Sequence, residues 1–284
     1  MRISVIIPTY NRGGWLAECI NSVLKQTLAP AEVLVVDDGS TDHTGQVVAD
    51  LARETAIPLR CIRQENRGAA AARNTGIRAA RGELLSFLDS DDRFLPEKLA
   101  LQYARLSASA ALISHTGEQW LRRGQSLAQK KKHQPPDGDI FPASLAMCVV
   151  GMSTVMARKE LFARYGLFDE ELPCCEDYDF WLRVGCREPF LLVAQPLTIK
   201  NGGRPDQLSV RYQQGMDRFR IRALAKLLAD GTLSGEQFQL ALAELARKCA
   251  IYGQGCIKHG RCAEGRTVLR LPGRFRQPVS LDSK

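Results

Sequence analysis

Two hydrophobic rhythms alternate through the first hundred residues. Residues 3–7, 33–36, 59–62 and 84–88 are short aliphatic and β-branched runs, the composition of buried strands. Between them the apolar positions recur at helical spacing. Trp15, Leu16, Cys19, Ile20, Val23 and Leu24 do so over residues 14–26, and Val47, Val48 and Leu51 follow Thr41 and Asp42, which can cap a helix. Residues 68–80 are alanine-rich, and Arg81-Gly82 stops that helix. Pro8 is expected to end the first strand and Pro96 to open a further helix. Strands separated by helices of this length read as βαβ units around a parallel sheet. Right-handed crossovers bring the carboxyl ends of such strands to one edge, where open α/β sheets bind ligands.

Beyond Tyr103 the rhythm loosens. Residues 122–139, with Lys130, Lys131, Lys132, Pro135 and Pro136, read as an exposed loop, and residues 141–193 as a compact segment with a helix over 176–186. From Gln213 the pattern is helical, as a pair or trio of helices, and after Leu271 a basic stretch with two prolines is expected to be poorly ordered. The expected organisation is one domain over residues 1–210 in two halves, 1–105 and 106–210. A helical extension over 211–270 and the tail at 271–284 follow.

Polar residues at the strand ends carry the chemistry. Pro8-Thr9-Tyr10-Asn11, Asp37-Asp38-Gly39-Ser40 and Asp89-Ser90-Asp91-Asp92 each follow an apolar strand and should meet at one cleft. Like charges this dense are costly unless a cation sits among them. An Asp-x-Asp turn can aim oxygen ligands at Mg²⁺ or Mn²⁺, ions that complete their shells with phosphate oxygens. A solvated turn capping the next helix is the plainer alternative for the triplet alone. The Asp38 carboxylate can accept from a ring N–H of a nucleobase, with Thr9 and Tyr10 flanking it. No P-loop and no G-x-G-x-x-G is present, so a diphosphate would be neutralised by the metal, aided by Arg67 or Arg73. Further on, Glu176-Asp177 opens a helix whose positive end favours an ionised carboxylate, suited to a general base or simply an acidic helix N-terminus. Trp181, one turn on, is either part of an acceptor platform or core.

Charge and cysteine content change the picture slightly. The net charge of +8 is concentrated in residues 197–284, which hold 16 basic and 7 acidic side chains. Such a surplus suits an acidic membrane surface or an anionic acceptor, or is simply a solvated helical face; nucleic acid is not an expected partner, since interleaved aromatics are missing. Nine scattered cysteines without paired C-x-x-C units argue against a disulfide framework or a zinc ribbon. The most apolar stretch, residues 145–157, falls short of the roughly 20 residues a membrane span needs. No signal peptide is expected at residues 1–8.

In order and at fitting distances, the segments at 4–11, 35–42, 66–74 leading into 87–92, 166–170 and 176–177 resemble the family 2 glycosyltransferases over about the first two hundred residues. The resemblance implies an α/β GT-A (Rossmann-like) fold with a mostly parallel sheet flanked by helices and a C-terminal helical extension. It implies an inverting, non-processive transfer from a nucleotide-sugar donor, UDP-sugar first, to a hydroxyl acceptor on a glycan or lipid-linked carrier. By analogy the work would be bacterial surface-glycan assembly, cytoplasmic or at the inner face of the membrane. The implied roles are nucleotide-sugar contacts from Pro8, Thr9, Tyr10, Asp38, Arg67 and Asp89, a Mn²⁺ or Mg²⁺ ligand in Asp91, and the base in Asp177. The chain departs from many relatives in carrying no histidine near residue 204; Lys200 or Arg204 is left to contact phosphate. A non-catalytic sugar-nucleotide-binding scaffold and a nucleotidyltransferase are the rival readings.

Overall fold

The computed structural model describes residues 1–122, 124–130, 133–204 and 206–275. Its first half follows the alternation read from the chain: β1 (Ile3–Thr9), α1 (Gly13–Leu24), β2 (Glu32–Asp37), α2 (Thr44–Glu54), β3 (Leu59–Arg63), α3 (Ala69–Ala79) and β4 (Leu84–Phe87). A short β5 (Arg93–Phe94) and α4 (Lys98–Ser107) complete it. The second half adds β6 (Ile113–Arg122), β7 (Gln125–Leu127), α5 (Phe141–Ala146), β8 (Met156–Arg158), α6 (Lys159–Tyr165), α7 (Glu176–Gly185) and β9 (Leu191–Gly202). Four helices end the described chain: α8 (Leu208–Arg211), α9 (Asp217–Ala229), α10 (Gly235–Lys258) and α11 (Cys262–Arg270).

Among the described residues one sheet runs in the order β3-β2-β1-β4-β8-β6-β9-β5, with β7 paired to β6. β3, β2, β1 and β4 are parallel, as the βαβ pattern requires. From β4 onward the sheet is mixed: β8 is antiparallel to β4 and β6, β5 to β9, and only β6 and β9 run parallel. The expected mostly parallel sheet is therefore confined to the first half. The sheet also crosses the expected division at residue 105 without a break.

Alternating strand residues feed two cores. Val5, Ile7 and Val35 face α1, α2 and α4, while Ile6, Leu34 and Phe87 face α3, α6 and α7. A third cluster joins α5 and α7 to α9 and α10, through Tyr178, Leu182, Leu224 and Leu245.

Three local expectations are corrected, and one left open is decided. Pro8 does not end β1, which continues to Thr9. Its missing N–H points to the β4 side, where pairing has already stopped at Ile6 and Phe87, so no ladder bond is lost. Residues 122–139 are not all loop, because β6 and β7 form a hairpin. Leu271–Phe275, expected to be poorly ordered, forms a 3-10 turn against α10; residues 276–284 of the expected tail lie outside the described residues. Trp181 is core, wholly buried with its indole N–H on the Val150 carbonyl at 3.1 Å, and is no acceptor platform.

Candidate functional site

The three strand-end turns meet at the carboxyl edge of the parallel strands. Asp38 N donates to Thr9 O at 2.8 Å, and Asn11 N to Ser40 Oγ at 2.8 Å, which locks the first two turns together. Asn11 takes a left-handed backbone (φ 51) to reach that partner, a conformation asparagine tolerates better than most residues. Thr9 is buried with its Oγ1 unpartnered, Tyr10 is 46% exposed at the mouth, and Pro8 is sealed in the sheet opposite Val36. The proline therefore sets the position of the two residues after it and presents little surface of its own.

The two neighbouring aspartates of the second turn divide their work. Asp37 is buried, accepting from Ser40 N at 2.8 Å and pairing with Arg63 at 3.3 Å. Asp38 accepts from Gln64 Nε2 and Arg67 N on Oδ1, and from Gly68 N on Oδ2, at 2.8, 2.9 and 2.8 Å. A carboxylate offers about four acceptor positions, so one remains, on Oδ2. Gly39 (φ +80) makes this turn possible: a Cβ there would lie 3.1 Å from Asn66 N. The Arg67 side chain itself reaches away to Glu170 at 2.5 Å.

The third turn is held from the second half of the chain. Ser153 Oγ accepts from Asp89 N at 3.1 Å and donates to Asp92 Oδ2 at 2.7 Å. Asn201 N donates to Asp92 Oδ1 at 3.2 Å, and Asn201 Nδ2 to Asp91 O at 2.8 Å. Burial, and then the charge of Asp91, push the Asp92 carboxyl well above its ordinary range. Asp92 is therefore a structural clamp, whereas Asp89 and Asp91 are left partly open.

Arg73 sits beneath this turn. It is 5% exposed and bridges Asp89 (2.8 Å) and Glu176, joining α3, the acidic turn and the start of α7. Burial works against its charge, but Asp89 and Glu176 outweigh that and raise its pKa. The expectation that Arg73 helps neutralise a diphosphate gives way to this: the guanidinium is already spent. Its neighbour Asn74 donates to Phe168 O and Glu170 Oε1, both at 2.9 Å, and accepts from Phe168 N at 3.0 Å, so adjacent residues of one helix seat the loop before α7 and the first residue of α7.

α7 begins at Glu176, after Cys175 in a left-handed conformation (φ 65). Asp177 is thus at the positive end of the helix, where an ionised carboxylate is favoured. Its Oδ1 accepts from Tyr178 N at 2.7 Å and its Oδ2 from the Cys148 thiol at 3.4 Å. Burial, followed by the Asp177 charge, pushes the Cys148 thiol well up, which keeps it a donor.

Two cations of β9 and the segment after it close the cleft. Arg204 pairs with Asp91, lies 4.8 Å over the Trp15 ring, and contacts Asp206 at 3.2 Å; Asp206 in turn pairs with Arg12 at 2.6 Å. Burial lowers the pKa of Lys200, but Glu118, Asp92, Asp89 and Asp177 together raise it above normal. Of the sequence-derived residues, Thr9, Tyr10, Asp38, Asp89, Asp91 and Asp177 share this edge, while the side chain of Arg67 turns outward. Cys148, Ser153 and Asn201 escaped sequence reasoning because no local pattern marks them.

A divalent ion fits here in one way. Among the described residues no group of three or more His, Cys, Asp or Glu could cage a metal. Asp91 already holds a cationic side chain, and the surrounding carboxylates outnumber the cations. This suits an ion bound through one carboxylate and phosphate oxygens, the usual habit of Mg²⁺. It also requires Arg204 to yield Asp91, since guanidinium and metal compete for the same carboxylate.

A family model described as glycosyl transferase family 2 matches residues 4–161. An uncharacterised glycosyltransferase of Rickettsia felis is 36% identical over 186 residues, 66% of this chain but 30% of its own length. The chain thus spans under a third of the relatives it matches first. Among solved structures, S. aureus TarS 1-349 in complex with UDP-GlcNAc superposes with a TM-score of 0.73 at 21% identity, covering 97% of this chain and 80% of that one. The mannosyltransferase PcManGT from Pyrobaculum calidifontis, in complex with GDP-Man and Mn²⁺, gives 0.63 at 19%, covering 96% and 84%. At these identities the two structures show the fold alone.

Proposed function

Because the chain belongs to glycosyl transferase family 2, we propose that it transfers a sugar from a nucleotide-sugar donor to a hydroxyl acceptor with inversion at the anomeric carbon. The observation that carries this is the meeting of Asp38, Asp89, Asp91 and the helix-end carboxylate Asp177 at one sheet edge.

In this reading the base lies between Thr9 and Tyr10, with a ring N–H on the remaining acceptor position of Asp38. Asp89, held by Arg73, faces the donor sugar or ribose. Asp91 would hold Mn²⁺ or Mg²⁺, which when bound stabilises the charge of the departing diphosphate. Arg204, once displaced from Asp91, is close enough to meet the same phosphates. Asp177 takes the proton of the acceptor hydroxyl as its oxygen attacks the anomeric carbon; the bond from that carbon to the phosphate oxygen breaks and the diphosphate leaves. The Tyr178 N–H and the Cys148 thiol hold the Asp177 carboxylate in place.

UDP is the first donor nucleotide to test. The acceptor is read as a glycan or lipid-linked saccharide. No described helix is long and apolar enough to cross a membrane. The basic surplus of residues 197–284 supports peripheral contact with an acidic bilayer surface.

Calorimetric titration with UDP, GDP and dTDP, with and without Mn²⁺, tests the donor site. Metal-dependent binding of one nucleotide that Asp91→Ala abolishes is expected. Asp177→Asn should keep that binding and lose transfer by about a thousandfold or more, the usual scale for removing a general base. A folded chain that binds no nucleotide with metal present would sink the proposal.

A further inference from the structure

We propose that Glu118 and Lys200 form a saccharide-hydroxyl subsite that orients the acceptor beside Asp177, an inference that rests on the glycosyltransferase reading and adds the acceptor's side of it.

The two residues lie on neighbouring parallel strands. Glu118 is in register with Thr198, and Trp120 with Lys200. Residues two apart share a strand face, so Glu118, Trp120, Thr198 and Lys200 project from the same side of β6 and β9. That side meets the segment before β8, where Thr198 Oγ1 donates to Ser153 O at 3.0 Å. The Trp120 indole N–H fixes Glu118 Oε1 at 2.5 Å. Glu118 Oε2 is buried and has no hydrogen-bond partner. Among the described residues Lys200 Nζ makes no hydrogen bond and no ion pair either, although four carboxylates surround it.

An unspent buried acceptor beside an unspent ammonium calls for an occupant that donates and accepts at once. Gly151, which carries no side chain, adjoins both groups. A Cβ on Gly151 would lie 2.9 Å from Glu118 Oε2 and 3.4 Å from Lys200 Nζ, so the two atoms are at most about 6.3 Å apart, the sum of those distances. A hydroxyl oxygen that donates to one and accepts from the other spans roughly 5.5 Å. The same four-residue stretch that ends at Gly151 begins at Cys148, which touches Asp177. The charge of Asp177 also acts on Lys200, so a sugar anchored by one ring hydroxyl on Glu118 and Lys200 would lie on the Asp177 side of the cleft.

The test uses the full chain with UDP and Mg²⁺ present. The probes are methyl glycosides of glucose, galactose, mannose and N-acetylglucosamine, with their monodeoxy analogues, followed by saturation-transfer NMR. Deleting the anchoring hydroxyl should weaken one glycoside by about 10- to 100-fold, the worth of a hydrogen bond to a charged group. Glu118→Gln, which turns the open acceptor into a donor at constant shape, should bind parent and deoxy sugar alike. Gly151→Ala, which fills the gap, should do the same. UDP affinity by calorimetry should stay unchanged in both variants. Undiminished discrimination in Glu118→Gln would overturn the subsite, as an ordered water would then be the only occupant. So would UDP binding with no glycoside binding at all. Loss of UDP affinity in Lys200→Met would overturn it by giving the ammonium to the diphosphate. Glycoside binding without any nucleotide binding would instead overturn the donor reading and leave the subsite standing.

Discussion

Replacing Arg73 by methionine tests how the site is held together. The wild-type guanidinium neutralises two carboxylates, and their exposures differ. The Glu176 side chain is 7% exposed, whereas that of Asp89 is 31% exposed and can be hydrated. Removing one partner of a buried pair costs about 3–5 kcal/mol, mostly the penalty of the charge left behind. Glu176 should supply nearly all of it, because water screens Asp89. Against a native stability of about 5–15 kcal/mol this is a large loss, readable as a lower urea midpoint at pH 7. The pairing predicts its own rescue: Arg73→Met with Glu176→Leu should regain most of the stability, since an apolar pair replaces an ionic one at similar volume. It also predicts a pH signature. Burial raises the Glu176 carboxyl above its ordinary value, and Arg73 opposes that rise. Without Arg73 the strongest opposition to that rise is lost. An acid whose folded pKa is raised contributes stability that is full below its unfolded pKa and is lost as pH climbs through the folded one. The variant's deficit should therefore be greatest at neutral pH and shrink toward pH 4. A deficit within about 1 kcal/mol at pH 7, or one indifferent to acid, would refute the reasoning.

Arg204→Ala should tighten binding of Mn²⁺ alone by about 10- to 100-fold, because a charged hydrogen bond no longer competes for Asp91. Electron paramagnetic resonance of free Mn²⁺ reads this directly, and unchanged or weaker binding contradicts the competition. His115 is buried with Nε2 on Pro136 O at 2.8 Å, and burial lowers its pKa to about 4. Its unfolded imidazole binds a proton near pH 6.5, so stability rises with pH between those values. From pH 7 to pH 5 the wild type should lose about 2 kcal/mol more than His115→Gln, and equal losses would remove His115 as the cause.

The first half was legible because each of its segments is locally consistent: β-branched runs, helical spacing and strand-end aspartates point to the same arrangement. The second half was not. β8 is only three residues long, and β6 and β9 take their places through pairing with strands far away in the chain. Asp38, Asp91 and Asp177 stood out in the sequence because carboxylates cluster beside them. Arg73 and Arg204 stood out only as candidate phosphate contacts, because their carboxylate partners are distant in the chain: Arg73 meets partners 16 and 103 positions away, and Arg204 meets Asp91 across 113. Trp181 was ambiguous because helical spacing cannot tell a core ring from one that faces a cleft.

The helical extension is tied to α5 and α7 by polar contacts as well as by packing. Lys226 of α9 donates to Asp179 at 2.9 Å, Lys248 of α10 to Ala146 O at 3.1 Å, and Gln237 to Cys186 O at 2.9 Å. During synthesis Lys226 follows Asp179 by 47 residues, and Gln237 follows Cys186 by 51. A growing chain therefore holds α7 without these two braces until α9 and the start of α10 have been added, and the helix carrying Asp177 gains its full support later than the strands beside it.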